Sequence, residues 1–348
     1  MRMGVSKSRN VAEDLVPIWD SSSDETTPMP NQEVIRKLIE QLGDPSRSNQ
    51  ALLALLLKGD EGARALAGFL VSARPSCVPE ARLLAVEGLS ILKSPGALST
   101  LVSVASRNLA EISDPVVRLA EETVASRAAL ALADFSSPRA REALLKLLDG
   151  KPLIGVAEAF AKSWDLRAIP RLVSWLEDDF VADAARRAIS VCGRMAFSAL
   201  LDSLGEKHTQ CECETGMSQR RRGRVLGLLV DILRSDEVHL IESALEDPVD
   251  IVRLNAARAV LNKGDITQKE RALEAVLPLL DSSEEATRGD TEDLLLEHFS
   301  IGHQLIEREI DRRSRAGESA GEFFPRETAL GVLLRIRKKG QLILEERR

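Results

Sequence analysis

The sequence predicts an all-α fold, a right-handed α-solenoid of about eight or nine helical hairpins, and three observations predict it. Leu and Ala supply most of a 44% hydrophobic content, while aromatics make up 3% and tyrosine is absent. That composition favours helices over short strands. A short element with apolar residues one helical turn apart, as Leu172 and Leu176 stand between Ala168 and Asp178, recurs along the chain. A second, longer helical pattern precedes most copies of it, and no linker rich in Gly, Pro or Ser divides the chain after residue 30.

The recurring element has paired anchors at Leu38/Leu42, Leu66/Leu70, Leu101/Ala105, Leu144/Leu148, Leu172/Leu176, Leu200/Leu204, Ile241/Leu245, Val276/Leu280 and Ile306/Ile310, with leading anchors 28 to 43 residues apart. First helices are predicted at Asn49 to Leu57, Glu80 to Leu92, Val116 to Leu132, Ala182 to Cys192, Arg224 to Leu233 and Ile251 to Leu261. Lys58-Gly59, Lys93-Ser94-Pro95, Lys162-Ser163 and Lys263-Gly264 have the chemistry of helix ends, where lysine favours the C-terminus and glycine accepts a left-handed cap. Ser113-Asp114-Pro115 and Asp247-Pro248 supply N-caps. One hairpin cannot bury its apolar stripe alone, so stacked neighbours complete the core.

Asp114-Pro-Val-Val-Arg118 and Asp247-Pro-Val-Asp-Ile-Val-Arg253, with Ala128-Ala129 and Ala256-Ala257 following, resemble first helices of HEAT-like repeats, including the short form named after phycobilisome lyases. Ile169-Pro-Arg-Leu172 and Val276-Leu-Pro-Leu-Leu280 resemble the family's second helices. The resemblance spans roughly residues 31 to 338. It implies the repeat fold and allows scaffolds, bilin lyases or isomerases and nucleic-acid enzymes. Trp164-Asp165-Leu166 is similar to a segment of HEAT-like alkylpurine DNA glycosylases, but those enzymes use a carboxylate one turn later, where this chain has Ala168. The departure removes the residue for that chemistry and leaves Trp164 as a turn residue packing between repeats.

The longest spacings mark insertions, near 106–112 and 205–216. The second contains His208, Cys211 and Cys213, which are metal-compatible by residue type but do not have a paired zinc-site spacing. No metal site and no cofactor is assigned from the sequence. Arg220, Arg221, Arg222 and Arg224 begin the next helix, at the end whose dipole repels cations. Glu212 and Glu214 are local neutralisers, and an anionic partner is the alternative. Arg171 and Trp175 lie one turn apart, the residue types of a binding hot spot. Positions equivalent to Trp175 are mostly apolar, as core positions are.

The net charge is −7, unlike that of a protein that wraps duplex nucleic acid. Positions two before and two after the leading anchors carry four bases (Arg36, Arg64, Lys146, Arg308) and four acids (Glu40, Glu142, Asp202, Glu274), so no single-signed phosphate track runs along them. No apolar run is long enough to span a bilayer. Four cysteines and no secretory pattern predict a reducing, cytoplasmic setting. Residues 1–30 have a disordered composition around an acidic-apolar segment with Trp19, residues 31–338 form the repeat array, and residues 339–348 are a basic end. No nucleophile elbow, phosphate loop or His-Glu-x-x-His motif occurs. The expectation is therefore a non-enzymatic scaffold that binds a protein or peptide on its ridge through Arg171, Trp175, Arg220, Arg221, Arg222 and Trp19. The bilin lyase or isomerase is the alternative, and the glycosylase stands behind it.

Overall fold

The computed structural model describes residues 30–76, 78–318, 322–323 and 326–346. Over these the chain is all-α, with seventeen α-helices linked by turns and 3-10 segments. Its strands are two-residue pairs, Thr209–Gln210 with Cys213–Glu214 and Glu322–Phe323 with Arg326–Glu327. Among the described residues the fold divides into two compact units, one within 30–172 with 183–191 and the other within 173–182 with 192–346.

In the first unit the helices form two layers. Helices α1 (Pro30–Gln41), α3 (Asp60–Ser72), α5 (Ala97–Ala105) and α7 (Pro138–Leu148) pack successively in one layer. Helices α2 (Ser48–Leu57), α4 (Glu80–Leu92), α6 (Pro115–Leu132) and α8 (Ile154–Ser163) pack successively in the other. Contacts between each helix and the next-but-one are the signature of stacked hairpins. Short α9 (Ile169–Ser174) and α10 (Ala182–Cys192) follow.

The second unit continues the alternation with α11 (Phe197–Gly205), α12 (Gly216–Ile232), α13 (Asp250–Lys263), α14 (Ile266–Val276), α15 (Glu285–Glu297), α16 (Phe299–Arg315) and α17 (Ala329–Glu346). Here α12, α13, α15 and α17 pack in series, and α14 packs on α16. The second element between α12 and α13 is a pair of 3-10 turns, Ser235–Leu240 and Glu242–Glu246. Helix α14 ends at Val276 and continues as the 3-10 turn Leu277–Asp281. Pro278 accounts for this: it has no backbone N–H to donate to the carbonyl four residues earlier, so the α-helical ladder stops there, although Leu277 before it keeps α dihedrals. Helix α17 runs unbroken through residue 339 to Glu346.

All the paired anchors are buried except Leu38 and Leu204, which are half-buried. Every predicted ridge position is exposed except Ser174, which is half-buried. Asp114 caps α6, accepting from the Val116 and Val117 amides with Pro115 at the first helical position. Gly59 after α2 has positive φ (57) but ψ −125, a turn conformation open to glycine and not the left-handed cap, whereas after α4 Lys93 itself takes the left-handed cap (φ 47, ψ 33). Asp247 does not cap α13 at the N-cap position, which Val249 occupies. Its carboxylate accepts from the Val249 amide and from Arg222 instead.

Trp164 corrects one expectation. It closes α8 in the left-handed conformation (φ 57), donates its backbone N–H to the Phe160 carbonyl at 3.0 Å, and is 64% exposed rather than packed between repeats. The buried face of α8 ends at Phe160, so the cap residue leaves the helix with its indole in solvent.

Candidate functional site

The insertion near 106–112 builds a cavity of about 560 Å³ in the first unit. After α5 the chain makes a short turn, Leu109–Glu111, held by Asn108, whose side chain accepts from the Ala110 amide and donates to Glu111. The turn, α6, α7 and the segment leading into α8 together line the cavity, which is open to solvent. Its lining combines apolar Leu109, Leu147 and Leu153 with Arg107, Arg118, Lys146, Lys151 and a single acid, Glu122. Ser106 and Asn108 add to the polar side, so that seven of the thirteen lining residues are polar or charged. The volume is within the roughly 300–1,000 Å³ of small-molecule sites.

The cations differ in what holds them. Lys151 donates to the half-buried Glu122 carboxylate. Arg107 donates to Glu121 Oε2 at 3.3 Å. The other Glu121 oxygen accepts from Arg82, and both of those side chains are 2% exposed. Burial pulls the Arg82 guanidinium below its ordinary pKa, and the Glu121 carboxylate opposes that pull. Two arginines thus share one carboxylate behind the cavity wall. Arg118 and Lys146 make no side-chain hydrogen bond or ion pair among the described residues. Four cations against one acid in the lining favour an anionic ligand.

The insertion at 205–216 is a different construction. Its hairpin is tied to the second unit by two arginines, each 2% exposed. Arg222 donates to Glu214 Oε1 at 2.7 Å and to Asp247 Oδ2 at 2.5 Å. Arg221 donates to the Glu206 carbonyl at 2.6 Å and lies 3.4 Å from Glu177. Burial works against charge on Arg222, but its hydrogen bonds to Glu214 and Asp247 hold its pKa above the ordinary arginine value. Burial likewise opposes ionisation of Glu214 and Asp247, and the Arg222 hydrogen bonds outweigh it, leaving both carboxyls below their usual range.

These positions correct the expected partner-binding set. Arg221 and Arg222 are internal ion-pair partners, inaccessible to a ligand because the acidic side chains that neutralise them also cover them. Trp175 is core, 3% exposed, and cannot form a surface hot spot. Arg220 is exposed and lies 3.3 Å from Asp179. Arg171 is exposed and donates to the Leu148 carbonyl at 3.0 Å. Trp19 lies outside the described residues, as does the tail expected at 1–30 apart from Pro30. His208, Cys211 and Cys213 are all exposed, but His208 Nδ1 is 2.8 Å from Glu177, and no group of three or more metal-ligating side chains is assembled among the described residues.

Sequence reasoning missed Arg107, Arg118, Lys151 and Glu122. The lengthened repeat spacing did mark their surroundings, and Lys146 stood at a ridge position. Arg118 and Glu122 lie one turn apart on α6, but Arg107 and Lys151 come from the loops after α5 and before α8, and nothing in the local sequence signals that these loops converge on that helix. No helix of the described residues is long and apolar enough to cross a membrane.

No known family model matches the chain, and no curated protein matches it in sequence. Among solved structures it is similar to human deoxyhypusine hydroxylase in complex with glycerol, at 20% identity and a TM-score of 0.28, over 76% of this chain and 95% of that one. That protein is an enzyme, and the expectation of a non-enzymatic scaffold is withdrawn against it. The likeness transfers neither a reaction nor a substrate at that TM-score, so function rests on the site itself.

Proposed function

We propose that the protein is an enzyme of the chromophore lyase or isomerase kind, and that the cavity of the first unit holds its substrate, a part-apolar molecule with acidic groups such as an open-chain tetrapyrrole. The observation that carries this reading is the presence of two unpartnered cations, Arg118 and Lys146, in a lining that includes Leu109, Leu147 and Leu153. Carboxylates of the substrate pair with the cations, and its conjugated body lies on the leucines.

Glu122 and Lys151 form a hydrogen-bonded carboxylate and ammonium in the same lining. In an isomerisation Glu122 accepts a proton from one carbon of the conjugated system while Lys151 delivers one to another. Transfer of the proton from Glu122 to Lys151 along their hydrogen bond then restores the starting pair, so the cycle needs no outside acid or base.

Titration with biliverdin, read by its visible absorbance, tests the binding. A spectral change is expected with the wild type, and Arg118→Ala with Lys146→Ala should weaken binding by about tenfold or more, since a hydrogen bond to a charged group contributes roughly 1.5–3 kcal/mol. Glu122→Gln should bind the pigment but not isomerise it. A wild type that leaves the spectrum unchanged, or a double variant that binds equally well, overturns the assignment.

A further inference from the structure

We propose that Cys211 and Cys213 form a two-thiolate site for a soft monovalent cation of the Cu(I) and Ag(I) class. The site lies in the second unit and is independent of the cavity. Both cysteines are free and exposed. They sit at the tip of a hairpin in which Thr209 pairs with Glu214 and Gln210 with Cys213, so that Cys211 and Glu212 are the two turn residues. Both turn residues are left-handed, with φ of 50 and 67. For side chains other than glycine that conformation costs roughly 1–2 kcal/mol per residue.

A hairpin with two-residue strands does not hold such a turn by itself. Its root does. The Ser218 hydroxyl donates to Glu214 at 2.7 Å and accepts from the His208 amide at 3.1 Å, the Thr215 amide donates to the His208 carbonyl at 2.8 Å, and buried Arg222 grips Glu214. The fold therefore presents two thiols, separated by one residue, on a fixed turn.

The donors around the tip select the ion. His208 is engaged by Glu177, and Glu214 by Arg222 and Ser218, which leaves the sulfurs as the soft ligands at the tip. Zinc needs four ligands and finds no group of even three among the described residues. A monovalent d10 ion is satisfied by two thiolates in linear coordination, and thiolate softness favours it. Binding balances as one M⁺ and two thiols giving a dithiolate complex of charge −1 and two released protons.

The test uses the reduced full chain without a His tag, titrated anaerobically with Cu(I) in competition with a chromophoric Cu(I) chelator, with native mass spectrometry for stoichiometry. One ion per monomeric chain is expected, together with protection of two of the four thiols from alkylation. Cys211→Ser and Cys213→Ser should each lower affinity by at least about tenfold, as even outer-shell changes at metal sites do. Cys192→Ser should leave affinity unchanged, and circular dichroism confirms that each variant is folded. Failure of the wild type to compete, equal uptake by the double serine variant, or one ion shared between two chains overturns the proposal.

Discussion

Arg82 on α4 and Glu121 on α6 form an ion pair in which each side chain is 2% exposed, and Glu121 also receives Arg107 from the insertion that walls the cavity. The pair therefore couples the packing of two adjacent first helices to the placement of a cavity residue. Removing the carboxylate leaves a buried guanidinium without its counter-charge, and breaking such a pair costs about 3–5 kcal/mol. Glu121→Ala should lower the urea unfolding free energy by that amount. Arg82→Met combined with Glu121→Leu should lose much less, because no charge is left stranded. Equal losses in the single and double variants would contradict the assigned cause.

Glycine at 155 is required by contact. A Cβ there would meet the Ser126 carbonyl oxygen at 1.8 Å, and the Gly155 amide donates to Ser126 Oγ at 2.6 Å, so α8 lies directly on α6 at this point. Gly155→Ala should destabilise by about 1–3 kcal/mol or more through overpacking. Gly227→Ala, on exposed helix α12 surface with nothing within 4 Å, should instead stabilise by up to ~1 kcal/mol. Thermal melts of the two variants should move in opposite directions.

The two neighbouring tryptophans should behave oppositely in denaturant titrations. Trp175→Ala removes a buried indole and should cost about 3–5 kcal/mol. Trp164 is mostly in solvent and left-handed, so Trp164→Gly should be neutral or stabilising. A large loss at Trp164 would mean that its ring is covered.

Acid should release the second insertion. Glu214 and Asp247 have folded pKa values held below the ordinary 4.5 and 3.8, net of burial, by hydrogen bonds from Arg222. Depressed carboxylates contribute stability that is fully present above their unfolded values and is lost as pH falls through the lowered folded ones. The stability difference between wild type and Glu214→Gln should therefore be greatest at neutral pH and shrink as pH falls below about 4.5. A difference that stays constant from pH 7 to pH 3 would rule the linkage out.

The sequence by itself determined the helical repeat: anchors one turn apart recur because each hairpin must bury a stripe, and nearly all are found buried. It also determined the cap at Asp114 and the places where the repeat lengthens, since caps and spacing are local properties. Only the tertiary structure decided what the charged residues do. Glu214 is legible as a local neutraliser of the arginine cluster, but Arg221 and Arg222 read as surface residues until Glu206 and Asp247 are also brought around them, and Arg118 and Lys146 read as ordinary solvated charges until α6 and α7 set them in one cavity. The physical reason is that burial of an apolar stripe is encoded by period along one helix. The partner of a charge, or its absence, depends on which distant segments packing brings within a few ångströms.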